Sequence, residues 1–272
     1  MSLHQAVGLV PHTLRIVITS HPAKEPGPIR GGAFYDAPQV TDRYLQHRHS
    51  GAHSPNHVME EPALLDELGP IAGLRVLDLG CGDAAIGRTL LAAGCRSYLG
   101  LDGSTEMTRA ANATLAGTSG RVDRMDIEKF SAPPHTFDLI ISRLALHYVD
   151  DLDSVLSACW RSLSPSGRLL ITVVHPVITS HEARQSTNEA RTSWAVDDYF
   201  HTGARQRNWL GNTVTWYHRT IEDYVAALTR AQFAITTLRE CAPRHDRFEG
   251  DMAEFARRRR VPLFLLLAGS RA

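Results

Sequence analysis

The residues best suited to chemistry lie in two short strings. The first, Val76-Leu77-Asp78-Leu79-Gly80-Cys81-Gly82-Asp83, ends an apolar run on a pair of glycines. Glycine allows a tight turn that brings backbone N–H groups up to a ligand, and a helix starting just beyond aims its own free N–H groups at the same point. Asp102 closes the next apolar run about 20 residues on, where a carboxylate accepts both hydroxyls of a ribose and repels a 2′-phosphate. That chemistry serves either a dinucleotide or S-adenosylmethionine (SAM). A bare Gly-x-Gly also fits a tight turn in any α/β protein, so the flanking strand, the helix and the distant acid give it weight. The second string is Ser142-Arg143-Leu144-Ala145-Leu146-His147. If it turns helical, Arg143 and His147 share one face. The imidazole would then take a phenol proton and the guanidinium would steady the phenolate. The plainer alternative is that His147 packs near a helix start. His175 offers a further base, or a polar ring that satisfies loop backbone.

Strand–helix alternation from Leu74 onward must position these groups. Strands are expected at Arg75–Leu79, Ser97–Leu101, Val122–Met125, Phe137–Ser142 and Arg168–Val174. Helices are expected at Ala84–Ala93, Thr105–Leu115 and Asp151–Leu163, the last ending at the turn Ser164-Pro165-Ser166-Gly167. Such alternation implies a parallel sheet with right-handed crossovers. Ile221–Arg230 reads as one more helix, and Ile235–Glu240 and Leu263–Leu267 as two final strands. Residues 1–34, with Pro11, Pro22, Pro26 and Pro28, read as a flexible tail. Residues 35–70 read as a helical cap on a domain spanning 35–272. The stretch 176–215 holds Trp194, Tyr199, Phe200 and Trp209, with Trp216 at its edge, and reads as an insertion covering the ligand site.

Composition narrows the partners. Lys plus Arg and Asp plus Glu both total 29, so the chain carries no net field for polyanions, and nucleic acid is not expected. Cys81, Cys95, Cys159 and Cys241 show no C-x-x-C spacing and read as reduced thiols of a cytoplasmic protein. No apolar run reaches the roughly 20 residues of a membrane span. His47, His49, His53 and His57 match no zinc pattern, so no metal is expected. The run Arg257–Arg260 reads as a solvated helix end.

The string V-L-D-L-G-C-G-D, then G-L-D at 100–102, D-I-E at 126–128 and F-D-L-I-I-S-R-L-A-L-H-Y at 137–148, resembles the class I SAM-dependent methyltransferases. NAD proteins usually keep a third glycine in the loop, and that place falls here at Ala85. The resemblance covers roughly residues 35–272 and is strongest over 76–148. It implies an α/β fold: a Rossmann-like, doubly wound, mostly parallel seven-stranded sheet with an N-terminal helical cap and an aromatic insertion before the last helix. It implies SAM as cofactor and S-adenosylhomocysteine (SAH) as product. Carried over by position, it sets Gly80 and Gly82 against the methionine arm, with Asp78 in the strand beneath them. Asp102 takes the ribose, Gly103 and Met107 flank the adenine, and Asp126 and Ile127 meet its amino group and face. Ser142 borders the sulfonium, and Tyr35 belongs to an N-terminal region that folds over cofactor and acceptor.

The same resemblance informs the acceptor. The fourth strand does not end in N-P-P-Y or D-P-P-Y, which argues against methylation of base amino groups or glutamine amides. No Lys-Asp-Lys-Glu set is apparent, which weakens a ribose 2′-O acceptor. The Arg143/His147 spacing is similar to that of C-methyltransferases acting on aminocoumarin antibiotics. Val174-His175-Pro176 looks like the H-P of many small-molecule methyltransferases. The expectation is methyl transfer to a small aromatic or phenolic acceptor, at carbon or oxygen, in secondary metabolism. His147, Arg143 and His175 are then the catalytic candidates, and a homodimer is possible. The alternatives are an N-methyltransferase of a small molecule, an RNA methyltransferase and a SAM-binding protein without transfer activity.

Overall fold

The structure, a computed structural model, describes residues 29, 31–49, 54–181, 193–248 and 250–271. Seven strands form one sheet: β1 (Arg75–Leu79), β2 (Ser97–Asp102), β3 (Arg121–Arg124), β4 (Phe137–Arg143), β5 (Leu163–Val174), β8 (Phe233–Glu240) and β9 (Phe264–Arg271). Their order is β3-β2-β1-β4-β5-β9-β8. The first five pair in parallel, and β9 runs antiparallel between β5 and β8. The expected seven-stranded, mostly parallel sheet is therefore present. β6 (Gly203–Trp209) and β7 (Asn212–His218) form a separate antiparallel hairpin.

Among the described residues, three helices precede the sheet: α1 (Gly31–Tyr35), α2 (Pro38–His49) and α3 (Glu61–Leu68), with a π-helical turn at Asn56–Glu60. The expected tail lies outside the described residues as far as residue 28. Its far end is corrected: residues 31–34 belong to α1, and Phe34 is only 1% exposed, packed with Val40, Val214 and Trp216. The remaining helices are α4 (Ala85–Ala92), α5 (Thr105–Thr114), α6 (Leu152–Ser162), α7 (Pro176–Thr179), α8 (Ile221–Arg230) and α9 (Met252–Arg258). Their starts are chemically marked: Ser104 and Asp151 cap α5 and α6, and Thr220 with Asp223 forms a capping box on α8.

Side chains alternate across a strand, so each strand feeds two cores. Val76, Leu139, Ile141 and Leu170 enter the core beneath α3, α4 and the π-turn. Leu77, Leu79, Ile140, Ile171 and Val173 enter the one beneath α6 and α8. The same phase places Asp78, Arg143 and Thr172 on the cap face, at the carboxyl ends of β1, β4 and β5. The turn expected at residues 164–167 is instead absorbed into β5. Leu163 pairs with Phe137, the register then shifts before Leu139 meets Arg168, and Ser166 takes φ +62° within the irregularity.

Candidate active site

The loop after β1 bends at Gly80 (φ +73°) and Gly82 (φ +55°), and Ala84 (φ +54°) carries the chain into α4. A side chain on Gly80 would be strained, and its Cβ would lie 2.4 Å from the Ala145 Cβ. Leu101 O accepts N–H bonds from Gly80 (2.8 Å) and Cys81 (3.0 Å), which ties the bend to β2. Asp102 fixes it from the same side: its carboxylate accepts N–H from Gly82 (2.9 Å) and from Ser104 (2.9 Å). Each oxygen keeps further lone-pair capacity for a hydroxyl donor. Burial lifts the Asp102 carboxyl to about 6, although these N–H groups favour the charged form.

A cavity of about 980 Å³ opens over this bend. Nine of the expected site residues line it: Tyr35, Gly80, Gly82, Asp102, Gly103, Met107, Asp126, Ile127 and Arg143. Tyr35 and Tyr44 meet edge to face at 5.0 Å between centroids, Tyr35 and Tyr148 at 6.1 Å, and all three line the cavity. The Tyr35 and Tyr148 hydroxyls are 2.9 Å apart. Burial pushes the Tyr35 hydroxyl well above its ordinary value and Tyr148 up to about 12, so both stay neutral at physiological pH.

Asp78 and Ser142 lie beneath the cavity, outside its lining. Tyr98 donates its hydroxyl to Asp78 Oδ2 (2.7 Å), while Oδ1 is buried without a partner among the described residues. Burial holds the Asp78 carboxyl at about 6. Ser142 is buried, and its hydroxyl donates to Leu79 O (2.8 Å), tying β4 to β1.

The catalytic candidates require correction. Leu144 takes φ +51° and breaks any helix from Arg143, and a 3₁₀ turn begins only at Leu146. Arg143 and His147 therefore do not share a face. Arg143 makes a bidentate ion pair with Glu60, Nε–Oε1 3.1 Å and Nη2–Oε2 2.5 Å. His147 does not line the cavity and packs against Tyr148 (4.4 Å) and Trp216 (5.0 Å). Burial, aided by the Arg219 charge, drives its pKa down to about 3. His175 is also outside the cavity lining. Its Nδ1 accepts from Val177 N (3.2 Å), so the proton sits on Nε2, which donates to Glu240 (3.1 Å).

The described part of the aromatic insertion is a buttress. Residues 182–192 lie outside the described residues, and Trp194, Tyr199, Trp209 and Trp216 do not line the cavity. Trp216 stands behind His147 and Tyr148, and Thr215 N donates to Ile29 O (3.2 Å). Arg257 and Arg258 pair with Glu254. His57 pairs with Glu61 (3.4 Å), His53 is outside the described residues, and none of the described residues form a metal-holding cluster. No described helix is long and apolar enough to cross a membrane.

Two features escaped the sequence. Gly32 of α1 packs directly on the loop after β2: a Cβ there would sit 2.3 Å from the Gly103 carbonyl carbon. Asp36 accepts from Ser104 Oγ (2.8 Å) and Thr105 N (2.7 Å), so the cap segment latches onto the start of α5. An acid between two helical stretches is the only signal for it in the sequence.

Residues 77–171 match the family described as a methyltransferase domain. A crystal structure of a SAM-dependent methyltransferase from Mesorhizobium loti shares 33% identity with a TM-score of 0.72, over 81% of this chain and 100% of that one. An uncharacterised protein of Haemophilus influenzae is 30% identical over 76% of this chain and 85% of its own length. A ubiquinone biosynthesis O-methyltransferase of Sinorhizobium medicae is 27% identical over 39% of this chain and 43% of its own length. With this fold, site and similarity, the chain belongs to the SAM-dependent methyltransferases. The residues present fit that cofactor: a glycine bend open to the cavity, a carboxylate with spare lone pairs at the end of β2, and a buried, unpartnered carboxylate oxygen under the bend.

Proposed function

We propose that this enzyme methylates a small, flat aromatic or phenolic acceptor, at a ring oxygen or at a carbon activated by it. The wall formed by Tyr35, Tyr44 and Tyr148 carries this reading, because aromatic faces and edges favour a planar ring lying against them. The similar ubiquinone biosynthesis enzyme, an O-methyltransferase by name, supports oxygen.

SAM, when bound, supplies an electrophilic methyl group on a sulfonium, which leaves the protein chiefly the task of alignment. Asp102 would hold the ribose, Gly80 and Gly82 would let the methionine arm lie close to backbone, and Met107, Asp126 and Ile127 would border the adenine. The paired Tyr35 and Tyr148 hydroxyls would orient an acceptor hydroxyl by hydrogen bonding. Being neutral, they do not serve as its base, so the acceptor would enter as the phenolate with its proton already released to solvent. The three rings would exclude water from the transfer line. The four free, buried thiols accord with a reducing, cytoplasmic setting.

A panel of phenols, hydroxyquinones and matched amines, incubated with SAM, tests this by mass spectrometry. Methylated phenols and stoichiometric SAH are expected, with Tyr148→Ala raising the acceptor KM more than it lowers kcat. Turnover confined to amines would overturn the proposal.

A further inference from the structure

The strongest unexplained feature of the site is a buried charge cluster between the cap and the carboxyl ends of β1, β4 and β5. Glu60 closes the π-helical turn and is 0% exposed. It grips Arg143 through two hydrogen bonds, and its Oε1 also accepts from Thr172 Oγ1 (2.8 Å). A buried ion pair is a poor stabilising device in itself, since well-packed apolar residues of similar volume do as well or better. The arrangement needs another reason, and the geometry supplies one. Two of the three guanidinium nitrogens of Arg143 are taken by Glu60, with Glu61 at 3.5 Å from Nη2. Nη1 has no partner among the described residues, and Arg143 lines the cavity beside Gly80 and Ala145. On the same sheet face, Asp78 keeps Oδ1 buried and unpartnered.

The methionine arm of SAM ends in an ammonium and a carboxylate. A guanidinium with free N–H groups and a carboxylate oxygen lacking a donor are the complementary pair. Arg48, the other guanidinium nearby, is engaged by Asp83 (3.4 Å) and Tyr44 (3.0 Å) and is not on the cavity wall. Resting on the assignment of SAM to this cavity, we propose that Arg143 reads the α-carboxylate of the methionine arm, and that Glu60 is the positioning residue that holds Arg143 in place to do so. Glu60 fixes the plane of the guanidinium from behind, Thr172 fixes Glu60, and the widened π-turn brings the carboxylate down onto the sheet.

Calorimetric titration of the full chain with SAH and with 5′-methylthioadenosine, which lacks the amino-acid end, separates this role from a structural one. The wild type is expected to prefer SAH clearly. The double variant Glu60→Leu/Arg143→Met replaces the pair by apolar groups. It is expected to melt within a few degrees of the wild type and to keep its affinity for methylthioadenosine. Its affinity for SAH should fall about tenfold or more, the usual loss of a charge-assisted contact. Glu60→Gln keeps the shape and one acceptor oxygen, and should narrow the preference in the same direction. A folded variant of either kind with the preference intact overturns the proposal. A wild type that binds both nucleosides equally overturns it while leaving SAM binding standing. A wild type that binds neither removes both.

Discussion

Asp102 accepts two backbone N–H groups, yet burial still lifts its carboxyl to about 6. Ribose hydroxyls donate to the ionised form, so a proton competes with the cofactor. SAH affinity should therefore be flat above pH 7 and fall up to about tenfold per pH unit well below 6. Titrations between pH 5 and 8 check this, and a flat profile would contradict it. Asp78 carries the same strain without a compensating donor on Oδ1. Its pKa is raised on folding, so its contribution to stability is fully present below about 4 and is lost as the pH rises through about 6. The wild type should gain on Asp78→Asn by about 2–3 kcal/mol between pH 7.5 and 4, measured by denaturant melts, whereas parallel curves would refute the assignment. His147 is neutral, buried and outside the cavity lining. His147→Gln should leave the pH–rate profile in place and lower kcat less than about tenfold, whereas a loss of 10²–10⁴ would restore a general-base role. That Gly80, Gly82 and Asp102 gather at one cavity was legible in the sequence, because a glycine bend ending one strand and an acid closing the next are both visible in residue type and spacing. Arg143 and His147 misled because a four-residue interval suggests a shared face only in a helix. The φ of +51° at Leu144, which a leucine string gives no reason to expect, sends them apart.

The elements around the cavity are joined by contacts that no local pattern reveals. α2 was legible as part of a helical cap, whereas α1 fell almost wholly in the expected tail, and what the two touch was not legible. Gly32 meets Gly103, and Asp36 meets the first turn of α5, across about seventy residues of chain. Gly32→Ala would drive a methyl group into backbone that cannot yield cheaply, lifting α1 from the ribose side of the site. SAH affinity should fall about tenfold while the melting temperature changes little, because α1 is one short helix at the rim. A large loss of melting temperature with SAH affinity unchanged would show that this contact serves the fold alone. The hairpin β6–β7 shows the opposite limit: its aromatic richness was plain, and its location was not. An aromatic residue serves a lid and a core equally well, and Trp216 is spent on the back of His147 and Tyr148.

On the scale of the whole molecule, the sheet brings the ends of β1, β2, β4 and β5 to one edge, where open α/β sheets bind their ligands. Strand–helix periodicity made the parallel half of this sheet readable. The irregular start of β5 was not, because Ser164-Pro165-Ser166-Gly167 is as good a turn as it is a bulge and only pairing with Phe137 decides between them. We assign one adenosine-bearing cofactor to the glycine bend after β1 and the carboxylate ending β2. Calorimetric titration of SAH into the wild type and into Asp102→Ala, each shown by a cooperative melt to be folded, checks that assignment. One site per chain is expected in the wild type, with affinity falling about a hundredfold in the variant as two hydroxyl contacts to a charged group are lost. Absence of binding to the wild type, or equal affinity in the two proteins, would contradict it.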